Sequence, residues 1–274
     1  NASCSPLSPC MRGLVAASRS CGIDRGGVAS EIRSRARDPG VTGTSRMGPN
    51  IEALIFDVDG TLIDTNAVHV AVWCSVLSTI GLAVAPERIA GEIGQGGDRL
   101  LHSLFGPEEA RRLGPALQGQ WAETYRAHLR TVQIKAFPKS HEIFAALRAR
   151  GVRVALATSN SRELMAVLRE RVRIAFPEVI VTGEDVRATK PAPDIVLVAA
   201  ERLGVEPIRC VYVGDTPYDA MAATAAGARA WCVLTGSHSE AALRAAGAER
   251  IWSDVSALYA DLDKLLPWAQ RSNA

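Results

Sequence analysis

Paired cysteines are missing from this chain. Its six cysteines, Cys4, Cys10, Cys21, Cys74, Cys210 and Cys232, form no C-x-x-C pair, and none has a histidine at zinc spacing, which argues against a zinc module. A chain of 274 residues does not need disulfides to hold a core, so the thiols read as reduced and the setting as cytoplasmic. Cys74, Cys210 and Cys232 fall in apolar patterns and read as core residues. Long apolar runs are missing too: none approaches the ~18 residues that a membrane-spanning helix requires, so no membrane contact is expected. Excess charge of one sign is also lacking. The formal net charge is +2, which gives no support for a nucleic-acid or polybasic membrane surface. Lysine is scarce: only Lys135, Lys139, Lys190 and Lys264 stand among 31 basic residues. What is abundant is apolar residue, 47% of the chain, which supplies a sizeable core and excludes wholesale disorder.

Residues 1–50 differ from the rest. They hold seven arginines and three acids, are rich in Ser and Gly, and show neither helical nor strand periodicity. They read as a disordered or non-native extension, with an Arg- and Ser-rich transit segment as the alternative. The chain starts at Asn1, and Met47 lies just ahead of the first apolar run, so the natural domain is expected to begin near Met47. Residues 267–274 read as a short tail.

From Ile51 onward, strand and helix patterns alternate. Strands are expected over 51–57, 152–158, 179–182, 209–214, 229–234 and 250–252. Between them fall helices over 140–150, 162–171, 194–203, 217–226, 239–246 and 255–266. Alternation of this kind implies an α/β fold, a Rossmann-like doubly wound parallel sheet with helices on both faces. One interval breaks the rhythm. Residues 66–134 read as helices over 67–80, 86–93, 98–105 and 108–130, too long for a single crossover. The core is therefore expected over 51–65 and 135–266, with 66–134 inserted after the first strand and hinges near 64–66 and 131–137.

In an open parallel sheet, ligands bind beyond the carboxyl ends of the strands. The first strand delivers Asp57-Val58-Asp59-Gly60-Thr61, a D-x-D-G-T pattern expected by chance at about one position in 10⁵. The second strand ends in Thr158-Ser159-Asn160, the third is followed by Lys190, and the fourth by Gly214-Asp215-Thr216-Pro217-Tyr218-Asp219. Any one of these has an ordinary alternative, since an Asp after a strand often only caps a helix or forms a turn. Together and in order, they supply what phosphoryl transfer needs: paired carboxylates for nucleophilic and proton-transfer work, hydroxyls and N–H groups for phosphate oxygens, and a compact cation.

These four blocks resemble the haloacid dehalogenase superfamily, and within it the capped phosphatases of the phosphoglycolate phosphatase and β-phosphoglucomutase groups. The resemblance spans about 51–266. It implies that Asp57 is the nucleophile, that Asp59 is the acid/base, and that Thr61 holds Asp59 through a hydrogen bond. It further implies that Thr158, Ser159, Asn160 and Lys190 bind phosphate, that Asp219 supports Lys190 or a metal-bound water, and that Mg²⁺ is held by Asp57, Asp215 and the backbone carbonyl of Asp59. The helical insert becomes a cap, whose Gly96-Gly97-Asp98-Arg99 loop and His69 are candidates for reading the substrate; Arg99 can meet a carboxylate or second phosphate. The expected activity is hydrolysis of a small, soluble phosphate monoester, phosphoglycolate or a sugar phosphate, by a monomer or homodimer. A sugar phosphomutase and a non-catalytic phosphometabolite-binding protein are the alternatives. An acid/base at position 59 favours phosphate over dehalogenation chemistry. The absence of lysine from 66–134 argues against a phosphonatase, which needs a cap lysine.

Overall fold

The computed structural model describes residues 50–172 and 174–266. The expected extension over 1–50, apart from Asn50, and the tail over 267–274 lie outside the described residues. After β1 (Ala53–Phe56) come four helices in a row, α1 (Asn66–Ser78), α2 (Pro86–Ala90), α3 (Gly97–Phe105) and α4 (Pro107–Thr131). Alternation then resumes with α5 (Glu142–Ala149), β2 (Arg153–Ala157), α6 (Arg162–Val172), β3 (Val179–Val181), α7 (Asp194–Leu203), β4 (Cys210–Gly214) and α8 (Pro217–Ala225). The chain continues through β5 (Arg229–Val233), α9 (Glu240–Ala245), β6 (Arg250–Trp252), α10 (Val255–Ala260) and α11 (Leu262–Leu265). No described helix is long and apolar enough to cross a membrane.

All six strands pair in parallel, in the order β3-β2-β1-β4-β5-β6. A parallel sheet covered on both faces needs apolar residues at every strand position, and β1 (ALIF) is buried throughout. Strand alternation sorts these residues into two cores. Leu54, Phe56, Val211 and Val213 face one way, against residues of α5, α6, α10 and α11. Ala53, Ile55, Ala155 and Ala157 face the other, against α7, α8 and α9. The second core is rich in alanine, which lets its helices lie close to the sheet. Gly204 ends α7 in the left-handed region, at φ +64°, where an L side chain would be strained. The single helix expected over 255–266 is instead broken at Asp261. There the carboxylate accepts from the Trp252 indole at 3.0 Å and from Lys264 at 2.8 Å, which ties the break to the end of β6.

The strand order reverses between β1 and β4, so their carboxyl ends lie side by side at the switch point. Phe56 pairs with Val213, and the Asp57 N–H donates to Val213 O at 2.8 Å. The two connections to the helical block also run side by side: Asp64 N–H donates to Lys135 O and Phe137 N–H to Leu62 O, each at 2.9 Å. The block's apolar residues, among them Val72, Leu77 and Leu117, are continuous with the first core.

The edge strand β3 is only three residues long and is secured by an ion cluster just beyond it. Asp185 accepts from Arg162 of α6 at 2.5 Å and from Arg202 of α7 at 2.7 Å, and from the N–H and hydroxyl of Thr182, both at 2.8 Å. Burial would raise this carboxyl, but Arg202, Thr182 and Arg162 outweigh it and hold it far below the usual carboxylate range. A depressed pKa contributes stability that is fully present above the ordinary carboxylate value, about 4, and is lost as pH falls through the folded value. Both arginines are substantially exposed, so solvent screening trims the effect. Asp185→Asn is expected to lower unfolding stability by about 1–2 kcal/mol at pH 7, read by urea denaturation, with the deficit shrinking below about pH 4. An equal deficit at pH 7 and pH 3 would show that the charge plays no part.

Candidate active site

Four strand ends converge on one floor. Asp57 follows β1 at 2% exposure, and Lys190, from the loop after β3, is 1% exposed. Lys190 Nζ donates to Asp57 Oδ1 at 3.0 Å and to Asp219 Oδ1 at 2.7 Å. Asp219 is held in turn by the start of α8. Thr216 is its N-cap residue, and Asp219 Oδ2 accepts from the Thr216 N–H at 3.0 Å and hydroxyl at 2.7 Å, completing a capping box. Asp215, fully buried after β4, accepts from Thr61 at 2.9 Å and from Asn66 at 3.1 Å. Thr158 caps the end of β2, its hydroxyl accepting from the Asn160 N–H at 3.1 Å.

Asp59 is followed by a turn at Gly60, whose φ is +74°. A Cβ there would lie 2.2 Å from Asp215 Oδ2, so both conformation and space require glycine. Just ahead of this turn, the Asp59 carboxylate meets groups from the helical block and from the end of β2. Its Oδ1 accepts from Thr65 at 2.6 Å and Tyr125 at 3.2 Å and lies 3.0 Å from His69 Nε2, while Oδ2 accepts from the Asn160 amide at 2.6 Å. Thr65 is the N-cap residue of α1, yet its hydroxyl makes no cap bond; it serves Asp59 instead.

The two acids of the D-x-D pair therefore titrate in opposite directions. Burial raises the Asp57 carboxyl well above its ordinary range; Lys190 pulls it down, but Asp219, Asp215 and Asp59 add to the rise. Burial also raises Asp215, with help from Asp219, to about 7. For Asp59, burial acts upward too, but His69, Thr65 and Tyr125 outweigh it and lower the carboxyl. Burial alone would lower Lys190, but Asp219 and Asp57 hold it firmly as an ammonium.

Four acids crowd one ammonium, a cluster short of positive charge. Oxygens of Asp57, Asp215 and Asp219 lie within 4.8 Å of one another, and an all-oxygen set suits a hard divalent cation. Asp219 is the least suited of the three, because the Lys190 ammonium already sits 2.7 Å from it. Asp57 and Asp215 remain as carboxylate donors. The Asp59 side chain is taken by its own donors and lies outside this group.

Above the floor lies a cavity of about 210 Å³, lined by Asp57, Asp59, Lys190, Ser159, Trp73 and Trp121 among others. The loop from α2 to α3 closes one side and presses on the core. A Cβ on Gly94 would lie 2.5 Å from Thr216, and one on Gly96 2.5 Å from Thr189. Tyr218 of α8 anchors the same loop, donating to Gly91 O at 3.1 Å and Glu92 Oε2 at 2.9 Å.

Some expected partnerships differ in this structure. Thr61 donates to Asp215, not to Asp59, because the Gly60 turn carries it toward the end of β4. Asn160 lines the cavity with one amide hydrogen given to Asp59 Oδ2 and its backbone N–H given to Thr158. Gly96 and Gly97 line the cavity, but Asp98 and Arg99 are exposed and do not; Asp98 accepts from Thr189 at 3.1 Å. His69 lies on Asp59. Thr65, Asn66, Tyr125 and Tyr218 were not anticipated. The Trp121–Tyr125 pair at helical i,i+4 spacing was the available signal for one of them.

Residues 54–233 match the haloacid dehalogenase-like hydrolase family, and the chain belongs to it. Phosphoglycolate phosphatase of Nitrosospira multiformis is 32% identical over 191 residues, covering 68% of this chain and 84% of that protein. Hexitol phosphatase A of Escherichia coli is 34% identical over 181 residues, covering 64% of this chain and 80% of that protein. A hydrolase from Pseudomonas syringae superposes with a TM-score of 0.72 at 31% identity, over 79% of this chain and 99% of that one.

Hydrogen bonds to an ionised carboxylate lower its pKa. Replacing Tyr125 by Phe and Thr65 by Val is therefore expected to move the Asp59 titration upward. The shift can be read from the carboxyl carbon by NMR in a selectively labelled protein. An unmoved titration would mean that His69 and Asn160 alone set it.

Proposed function

We propose that this chain is a Mg²⁺-dependent phosphatase acting on a small, soluble phosphate monoester of the phosphoglycolate or sugar-phosphate class. The observation that carries this reading is the floor itself. Asp57 is buried against Lys190 at 3.0 Å and opens on the same cavity as Asp59, so nucleophile and acid/base share one space. The relatives that carry phosphatase names support the same chemistry.

In this reading an Asp57 oxygen attacks phosphorus, the bond from phosphorus to the leaving oxygen breaks, and an aspartyl phosphate forms. Asp59 gives a proton to the departing alkoxide, then removes one from the water that hydrolyses the acyl phosphate. Lys190 offsets the charge of the phosphoryl group, and Ser159 and Thr158 donate to its oxygens. Asp57, Asp215 and the Asp59 carbonyl would hold a Mg²⁺ ion, which would supply charge neutralisation for an otherwise repelled dianion. The helices over 66–134 act as the cap that excludes water from this step. Free thiols at Cys74, Cys210 and Cys232 suit a reducing, cytoplasmic setting.

Asp57→Asn is expected to lower kcat at least about 10⁴-fold with unchanged circular dichroism, because it removes the nucleophile's charge but little volume. Chelation should silence the wild type, and added Mg²⁺ should restore it. Phosphate release that survives Asp57→Asn would reject the nucleophile. Conversion of β-glucose 1-phosphate into glucose 6-phosphate, without phosphate release, would assign a mutase instead.

A further inference from the structure

The half of the cavity away from the floor is built from aromatic faces and amides. Trp73 and Trp121 stack at 5.5 Å between centroids and 21° between planes. Trp121 also stacks on Tyr125 at 4.8 Å and on His69 at 5.4 Å, so the four rings form one rigid wall. The Trp121 indole N–H and the Ser159 hydroxyl are buried with no hydrogen-bond partner among the described residues. Unpaired buried polar groups are costly, and both residues line the cavity. Gln118 lines it too, its side chain lying across Gly97 and Gly114, where any Cβ would come within 3.4 Å.

The charges in this cavity are already used. Among the described residues its basic side chains are Lys190 and His69, which face Asp57 and Asp219, and Asp59, respectively. Arg99 is exposed outside it, Arg88 donates to Leu104 O at 2.9 Å, and Arg126 pairs with Glu163. A carboxylate on the leaving group would meet negative aromatic faces and Asp59 with no guanidinium to receive it. A leaving group with C–H faces and neutral hydroxyls would stack on the indoles and pair with the indole N–H and the Gln118 amide.

We propose, resting on the phosphatase reading above, that this wall selects an uncharged, polyhydroxylated leaving group, a polyol or hexose monophosphate, over one bearing a carboxylate. Trp121 and Gln118 are the specificity-determining side chains.

The test is phosphate release by the purified full chain with Mg²⁺, comparing kcat/KM for sorbitol 6-phosphate, glucose 6-phosphate and 2-phosphoglycolate, with acetyl phosphate as a small activated acyl phosphate. One of the two neutral hydroxylated esters should exceed phosphoglycolate by about tenfold or more. Equal or greater kcat/KM for phosphoglycolate overturns the inference while leaving the phosphatase reading intact. No release from any of the four, acetyl phosphate included, overturns both. Gln118→Arg adds the missing cation and should shift the phosphoglycolate-to-sorbitol-phosphate ratio upward by about tenfold. An unchanged ratio in folded Gln118→Arg removes Gln118 from the specificity assignment.

Discussion

The ammonium of Lys190 is the contact on which the site depends. It is buried between Asp57 and Asp219, and Asp215 lies among the same oxygens. Removing one partner from a buried pair leaves an uncompensated charge, at a cost of about 3–5 kcal/mol. An arginine would not substitute, because its planar fork needs more room than a point charge between two carboxylates. This explains why one of the few lysines in an arginine-rich chain stands here. The alanine-rich second core under the same loops lets α7 and α8 approach the sheet closely enough for residues 190 and 219 to meet.

Asp59 adds a second dependence, this one on the helical block. Three of its partners, Thr65, His69 and Tyr125, come from residues at or within α1 and α4. The block is thus more than a cover, since it sets the state of a carboxylate that the core carries. The reverse attachment runs from Tyr218, next to the Asp215–Asp219 segment, to Gly91 and Glu92. Core and block hold each other at the points where each carries reactive groups.

Much of this was legible in the chain and some was not, for reasons of range. Strand ends are local: an apolar run followed by Asp57, Thr158 or Asp215 marks both the strand and what it delivers, and the parallel sheet follows from alternation. The helices over 66–134 were legible from period and length, because their capping and apolar spacing are also local. Partnerships across the sheet were not. Thr61 lies two residues from Asp59, so proximity in sequence suggested a hydrogen bond, but the positive φ of Gly60 turned it toward Asp215, 154 residues away. Tyr125 lies 66 residues from Asp59, and its i,i+4 spacing from Trp121 marks a shared helix face without pointing to Asp59. Asp98 and Arg99 looked suited to recognition by charge alone, yet the start of α3 directs them to solvent.

The D-x-D spacing acquires its physical meaning from the different surroundings of its two carboxylates. Two carboxylates in one buried cluster with like surroundings would both be driven toward the neutral form. Instead Asp57 stays against the sheet, where burial and neighbouring acids raise it, and Asp59, two residues on, meets a shell of donors that lowers it. The proposed roles run against these directions as they stand: a nucleophilic Asp57 must be ionised, which a divalent cation beside it would favour, and Asp59 must first take up the proton it gives. The difference in surroundings is built from distant parts of the chain: Lys190 lies 133 residues from Asp57, and Tyr125 and Asn160 lie 66 and 101 residues from Asp59. Its local component is a helix capped at Thr65 whose hydroxyl is free for Asp59.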